Sequence, residues 1–214
     1  MDVDPTLTVG RPNFFVPQDV IATVFDLAEA AWTRVLTDGL VTRCSTEPAL
    51  AGHLVTHMQV LKRERGLLLL IIEEVGTRST GSPKPDGRID IKIYDNRSFS
   101  EPDYFGLECK RVSRADRTLA RKYVSEGVAR FTRGKYSPGH DHAGMVGFAI
   151  DADCLGCSAT VASVMVEASA EIQLIGAWGP APAPVTRENL FHTRHLQQPS
   201  RIVITVLHLF LAVN

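Results

Sequence analysis

The chain has 214 residues, 44% of them apolar and 22% charged, with a net charge of −1. That is enough for one domain with a full core, and the composition is ordinary for a globular fold. It excludes a global field that would attract nucleic acid, so any polyanion contact needs a local patch.

The longest apolar run, Gly66–Ile72, is too short to span a bilayer, and the C-terminal run is broken by His208. No membrane partner is expected. The first residues are acidic and polar, which argues against a signal peptide. The four cysteines, at 44, 109, 154 and 157, suggest no disulfide framework, and a reducing cytoplasm fits them.

Residues 1–17 hold three prolines and no period, and read as an extended arm. Asp19–Leu36 is predicted helical. Val20, Val24, Leu27, Ala31 and Val35 recur at spacings of three and four, and Gly39 ends the pattern. Ser45-Thr46-Glu47-Pro48 is a helix start, with a hydroxyl cap, an acid at the positive end and a proline in the first turn. Leu50, Leu54, Met58 and Leu61 then share a face. Leu67–Val75 reads as a strand buried on both faces, since it lacks alternation. Glu73 and Glu74 at its end are read first as solvated edge residues. Gly76–Gly87 is a turn-rich loop in which Pro85-Asp86-Gly87 forms the entry to the next strand.

Arg88–Val112 carries the chemistry. In its first half Ile89, Ile91 and Ile93 alternate with Arg88, Asp90 and Lys92. In its second half, about Tyr104–Val112, Glu108 and Lys110 share one face, with Leu107 and Cys109 on the other. If the two strands pair, Asp90 and Glu108 lie side by side with Lys110 next to them. Two such carboxylates repel unless a cation lies between them. A hard divalent ion is the natural occupant, and Mg²⁺ takes only one or two carboxylates from its protein.

Asp90 in GRIDI, with Glu108-Cys109-Lys110 in GLECKRV, resembles the motif of the PD-(D/E)xK nuclease superfamily. The resemblance implies a three-layer α/β/α, restriction-endonuclease-like fold with a central mixed sheet. It also implies a Mg²⁺-dependent endonuclease acting on DNA, with Mn²⁺ as the alternative ion. In that reading Asp90, Glu108 and the Cys109 backbone carbonyl hold the metal, and Lys110 assists the attacking water. Glu47, otherwise a residue complementing its helix dipole, completes the site.

From Lys110 to Lys135 there are nine Lys or Arg against two acids, a local balance of +7. A helix over Asp116–Thr132 carries part of it, with Leu119, Tyr123, Gly127 and Phe131 on one face. Gly127 either lets that helix lie close on the sheet or lets a substrate backbone approach. Arg111, Arg114, Arg117, Arg121, Arg130 and Lys135 are the candidate phosphate contacts. Tyr123, Gly127, Arg130-Phe131 and Gly134-Lys135-Tyr136 also resemble a stretch of nuclease-like proteins from bacterial genome-defence loci. That resemblance implies a role in genome or phage defence.

His140-Asp141-His142 reads as an exposed turn, Ala143–Ile150 as a buried strand, and Asp153–Ala170 as a helix. Ile172–Trp178 is a short strand, Gly179–Ser200 a long loop with four prolines, and Arg201–Val213 a closing strand. Cys154, Cys157, His192 and His195 have the residue types for a structural zinc site.

The whole chain is read as one domain: an arm (1–17), a helical part (18–66), a catalytic core (67–150) and a C-terminal completion of the sheet (151–214). Two rival functions keep the fold. One is a non-catalytic subunit binding nucleic acid or a protein partner in a defence complex; the other is cleavage of RNA. A homo-oligomer is compatible with either.

Overall fold

The computed structural model describes residues 10–77, 87–97, 100 and 102–214, with residues 74–77 and 87 described by backbone alone. Pro85 and Asp86 lie outside the described residues. The chain forms a mixed α/β fold around a seven-stranded sheet of order β1-β2-β3-β4-β7-β6-β5. Its elements are α1 (Gln18–Thr37), α2 (Glu47–Glu64), β1 (Leu69–Thr77), β2 (Gly87–Asp95), β3 (Phe105–Val112), α3 (Arg117–Lys122), a π-helical stretch (Tyr123–Val128), α4 (Ala129–Thr132), β4 (His142–Ala149), α5 (Cys154–Glu167), β5 (Leu174–Pro180), β6 (Leu190–Gln197) and β7 (Ile202–Ala212). Strands β3, β4 and β7 run parallel as neighbours, and the other pairings are antiparallel.

Helices cover both faces. The apolar stripes of α1 and α2 bury Phe25, Leu27, Leu50, Leu54 and Met58 against Ile91, Ile93, Leu107 and Cys109 of the sheet. On the opposite face Tyr123, Val128, Phe131, Val161 and Met165 cover Met145, Val206 and Phe210. Gly39, at φ 64°, ends α1 in a conformation that costs a side-chain-bearing residue more. Thr46 caps α2, its hydroxyl accepting the Ala49 N–H at 3.4 Å.

The N-terminal segment is described from Gly10, with isolated bridges at two positions and a bend at Asn13 between them. Gly10 bridges Ile202 and Phe14 bridges His140. Strand β1 lies at the sheet's edge, yet both of its faces are covered. Leu69 and Ile71 join the first core, and Leu70 and Ile72 lie against the second.

Four expectations are corrected. Ile89 does not share a face with Ile91 and Ile93; it belongs to the second core. His140-Asp141-His142 is no exposed turn. His140 is buried, bonds the Pro102 carbonyl at 2.9 Å and meets the rings of Phe14 and Tyr104. Asp141 accepts the Val16 N–H at 2.9 Å, fastening the arm. The segment 179–200 contains β6, whose inward residues Thr193, His195 and Gln197 are polar but fully buried and hydrogen-bonded. The helix over 116–132 is interrupted by the π stretch, with Ala120, Tyr123, Val124, Gly127, Val128 and Phe131 inward and Leu119 only half-buried.

Candidate active site

The site forms where β2 parts from β3. The ladder runs through Ile93↔Phe105, Lys92↔Gly106 and Ile91↔Leu107 and then stops. One step further along that register, Asp90 stands opposite Glu108. The two N–H groups of β3 beyond the last pair are taken by carboxylates: Cys109 N donates to Asp90 Oδ2 at 2.6 Å, and Arg111 N to Glu47 Oε2 at 3.1 Å. Acidic side chains thus replace the missing ladder bonds. The switch of Ile89 to the other face occurs at this parting.

Leu107 and Cys109 face the first core, which turns Glu108 and Lys110 toward the second helical layer. There Gly127 lies directly over Met145 and Lys110. A Cβ at 127 would strike the Met145 methyl and come within 3.7 Å of Lys110 Cγ. The glycine therefore serves close packing of helix on sheet.

Lys110 Nζ donates to Glu47 Oε1 at 2.9 Å, to Glu108 Oε1 at 2.9 Å and to the Cys109 carbonyl at 2.8 Å. All three protons of the ammonium are used. Glu108 is 1% exposed. Its Oε1 also accepts from Arg130 Nη1 at 2.9 Å, while its Oε2 is buried without a partner among the described residues. Arg130 Nη1 donates as well to the Tyr136 hydroxyl at 2.7 Å, and that hydroxyl donates to the Arg88 carbonyl.

Burial drives the Glu108 carboxyl up to about 7, and the neighbouring Asp90 charge adds to it, against Lys110 and Arg130. Burial raises Asp90 too, opposed by Lys110 and the Cys109 N–H. Burial works to lower Lys110, but the combined charges of Glu108, Glu47 and Asp90 outweigh it and hold the ammonium above its ordinary range. Tyr136 is pushed up to about 12 by burial and by the Glu108 charge, so its hydroxyl stays a donor.

Asp90, Glu108, the Cys109 carbonyl, Lys110 and Glu47 thus come together, joined by Arg130. The other basic candidates divide. Arg114 and Arg117 pair with Asp153 at 3.1 Å and Glu167 at 2.6 Å, tying α3 and the segment before it to α5. Arg133 pairs with Glu171 at 2.7 Å. Arg111 donates to the Arg43 carbonyl at 3.1 Å. Arg121 and Lys135 are exposed and make no ion pair among the described residues. The +7 of the linear segment is thus partly neutralised in space by acids from α5 and the turn after it. Sequence reasoning missed Tyr136 as a member of the site. Its signal was position, just past Gly134, whose φ of 68° folds the chain back on Arg130.

The zinc set does not converge. His195 spends one ring nitrogen on Thr193 Oγ1 and the other on the Ile172 carbonyl, and the Cys157 thiol bonds Asp151 at 3.1 Å. Among the described residues no group of three or more His, Cys, Asp or Glu side chains is arranged to hold a metal. Mg²⁺ asks for less: one or two carboxylates, other oxygens and water. Asp90, Glu108 and the Cys109 carbonyl supply oxygens of that kind; Lys110 bonds the carbonyl and Glu108 Oε1, and Glu108 Oε2 has no partner among the described residues. In residue type the set fits a hard divalent cation.

No protein-family model, no curated protein and no solved structure matches this chain. Among the described residues no helix is long and apolar enough to cross a membrane.

Proposed function

We propose that this chain is a metal-dependent phosphodiesterase of the PD-(D/E)xK type, with a restriction-endonuclease-like fold, that cleaves DNA. One observation carries the reading: Asp90, Glu108, the Cys109 carbonyl and Lys110 converge in the gap between β2 and β3, and Glu108 Oε2 is buried there without a partner among the described residues. A carboxylate raised to about 7 by burial and by a second acid is a site that gains from a cation.

Asp90, Glu108 and the Cys109 carbonyl would hold Mg²⁺ or Mn²⁺. When bound, the ion supplies Lewis acidity toward a phosphate oxygen and acidifies the attacking water. Lys110 holds its proton tightly, so it would act as a donor and not as a base, exchanging one of its three present acceptors for the phosphate oxygen on which charge grows. Glu47 aims that ammonium. Arg130, one third exposed, has further N–H groups for the same phosphate. Arg121 and Lys135, exposed and without an ion pair among the described residues, would contact flanking phosphates, contacts that position a duplex without reading it.

The test is cleavage of supercoiled plasmid, with a folded RNA run in parallel. Nicking or linearisation is expected with Mg²⁺, none with EDTA, and none with Lys110→Ala. Undiminished cleavage by Lys110→Ala would overturn the assignment, and preference for the RNA would change the substrate.

A further inference from the structure

Beyond Ile91↔Leu107 no ladder pair joins β2 to β3 among the described residues, although the site requires Asp90 on one and Glu108 on the other to keep a fixed separation. On the side of the second helical layer a chain of side chains spans the gap. It runs from the Arg88 carbonyl of β2 to the Tyr136 hydroxyl, from there to Arg130 Nη1 at 2.7 Å, and on to Glu108 Oε1 of β3 at 2.9 Å. Tyr136 is fully buried and packs edge-on to Phe131, with the Arg130 guanidinium carbon 5.4 Å from its ring centre. The turn that brings it there is specific. Gly134 takes a positive φ, and the N–H groups of Lys135 and Tyr136 both return to the Arg130 carbonyl. A Cβ at 134 would run into the Gln198 carbonyl at 2.5 Å.

We propose that Tyr136 is a positioning residue of the cation site: it acts through Arg130, keeping that guanidinium on Glu108 Oε1 so that Glu108 presents its other oxygen, Oε2, to the cation. The inference rests on the metal-dependent reading above. Arg130 by itself is a long side chain, one third exposed, and free to turn into solvent. The Tyr136 hydroxyl and ring remove that freedom. Outer partners of this kind govern ligand orientation, and removing one costs metal affinity about 10–100-fold.

The test is calorimetric titration of the whole chain with Mn²⁺. Tyr136→Phe keeps the ring and removes no charge, so it separates orientation from electrostatics. It is expected to bind Mn²⁺ about tenfold more weakly than the wild type. In an Arg130→Met background the same Tyr136→Phe change is expected to alter the affinity less than about twofold, because the residue through which it acts is gone. Wild-type affinity in Tyr136→Phe overturns the inference, as does an undiminished tenfold loss in the Arg130→Met background. Should Tyr136→Phe fail to fold, Arg130→Lys takes its place. Its ammonium ends one bond short of the Nη1 position from which Arg130 serves both Glu108 and Tyr136. The same loss is expected there, and unchanged affinity overturns the inference. A wild-type chain that binds no Mn²⁺ sinks the metal reading and this inference together, whereas wild-type binding with an unaffected Tyr136→Phe sinks this inference alone.

Discussion

Replacing Glu108 by Gln should stabilise the metal-free protein at pH 8. The carboxyl stands at about 7 in the folded chain against an ordinary value of 4.5. That difference corresponds to about 3 kcal/mol. The sign follows from proton counts. Between pH 4.5 and 7 the folded state binds more protons at this position than the unfolded state, so stability rises as pH falls through 7. Above 7 the group is ionised in both states, and its burial weakens the fold by the full amount. Gln removes the charge but leaves an amide N–H₂ where Oε2 had no partner, which costs about 1 kcal/mol. The net gain is about 2 kcal/mol at pH 8, shrinking to near zero or below at pH 5. Urea unfolding in EDTA at both pH values measures it, with an unchanged slope as the check on two-state behaviour. On the proposed metal reading Mg²⁺ then reverses the ranking, because it would bind the folded wild type more tightly than the variant. A Gln variant less stable than wild type at pH 8 would refute the reasoning. It would mean that Lys110 and Arg130 already make the Glu108 carboxylate a net asset, and that nothing in the site awaits a cation.

Gly127→Ala should destabilise the fold by about 1 kcal/mol, since overpacking against the fully buried Met145 outweighs the gain in helix propensity; thermal unfolding checks it. Replacing Arg121 and Lys135 by Ala should weaken duplex binding and lower the salt slope by about 0.9 for each phosphate no longer neutralised, whereas Arg114→Ala and Arg117→Ala should leave the slope unchanged; anisotropy titrations across a KCl series separate the two pairs. His195 is pushed down to about 4 by burial, opposed by its bond to the Ile172 carbonyl. It stays neutral in the fold while the unfolded chain takes up protons, so the stability it contributes is complete above pH 6.5 and falls by about 3 kcal/mol as pH drops to about 4. Glu108 works in the opposite direction over much of that window, so His195→Asn is best compared in the Glu108→Gln background, where it should flatten the acid limb of the unfolding curve.

The helices and most strands are legible because their apolar residues repeat. The repeat predicts α1 over Asp19–Leu36, and the helix spans Gln18–Thr37; it predicts β7 over Arg201–Val213, and the strand spans Ile202–Ala212. β6 is not legible, because its buried face is polar. Thr193 bonds both His195 and His208, and Gln197 bonds the Phe131 and Ser137 carbonyls and the Gly139 N–H. Hydrophobic periodicity is blind to a strand whose inward residues are satisfied by hydrogen bonds instead of by burial of carbon. The same limit hides the His140 clasp, where a histidine lies among aromatic rings.

The acid pair and its lysine are legible for a different reason. Strand alternation puts Glu108 and Lys110 on one face whatever lies around them, and a single register places Asp90 opposite. Alternation cannot say where a ladder ends, and the site depends on that. Because β2 pairs with β3 only from Ile91 onward, the N–H groups of Cys109 and Arg111 need acceptors, and the carboxylates of Asp90 and Glu47 supply them. Glu47 is thereby drawn from the first residue of α2 onto Lys110, a pairing of residues 63 apart in sequence. The charge patch fails as a linear reading because α5 and the turn after it, with the cap residue before it, supply Asp153, Glu167 and Glu171 to three of its arginines. Arg130 joins Lys110 among the cations of that segment turned onto Glu108, and it stands on the same helical run as Gly127, which packs on Met145. A Cβ at 127 would displace the methyl end of the buried Met145 and would stand at ordinary contact distance from Lys110. Gly127 therefore packs this helical run closely on the strand behind the acid pair, and Arg130 reaches Glu108 from the same run.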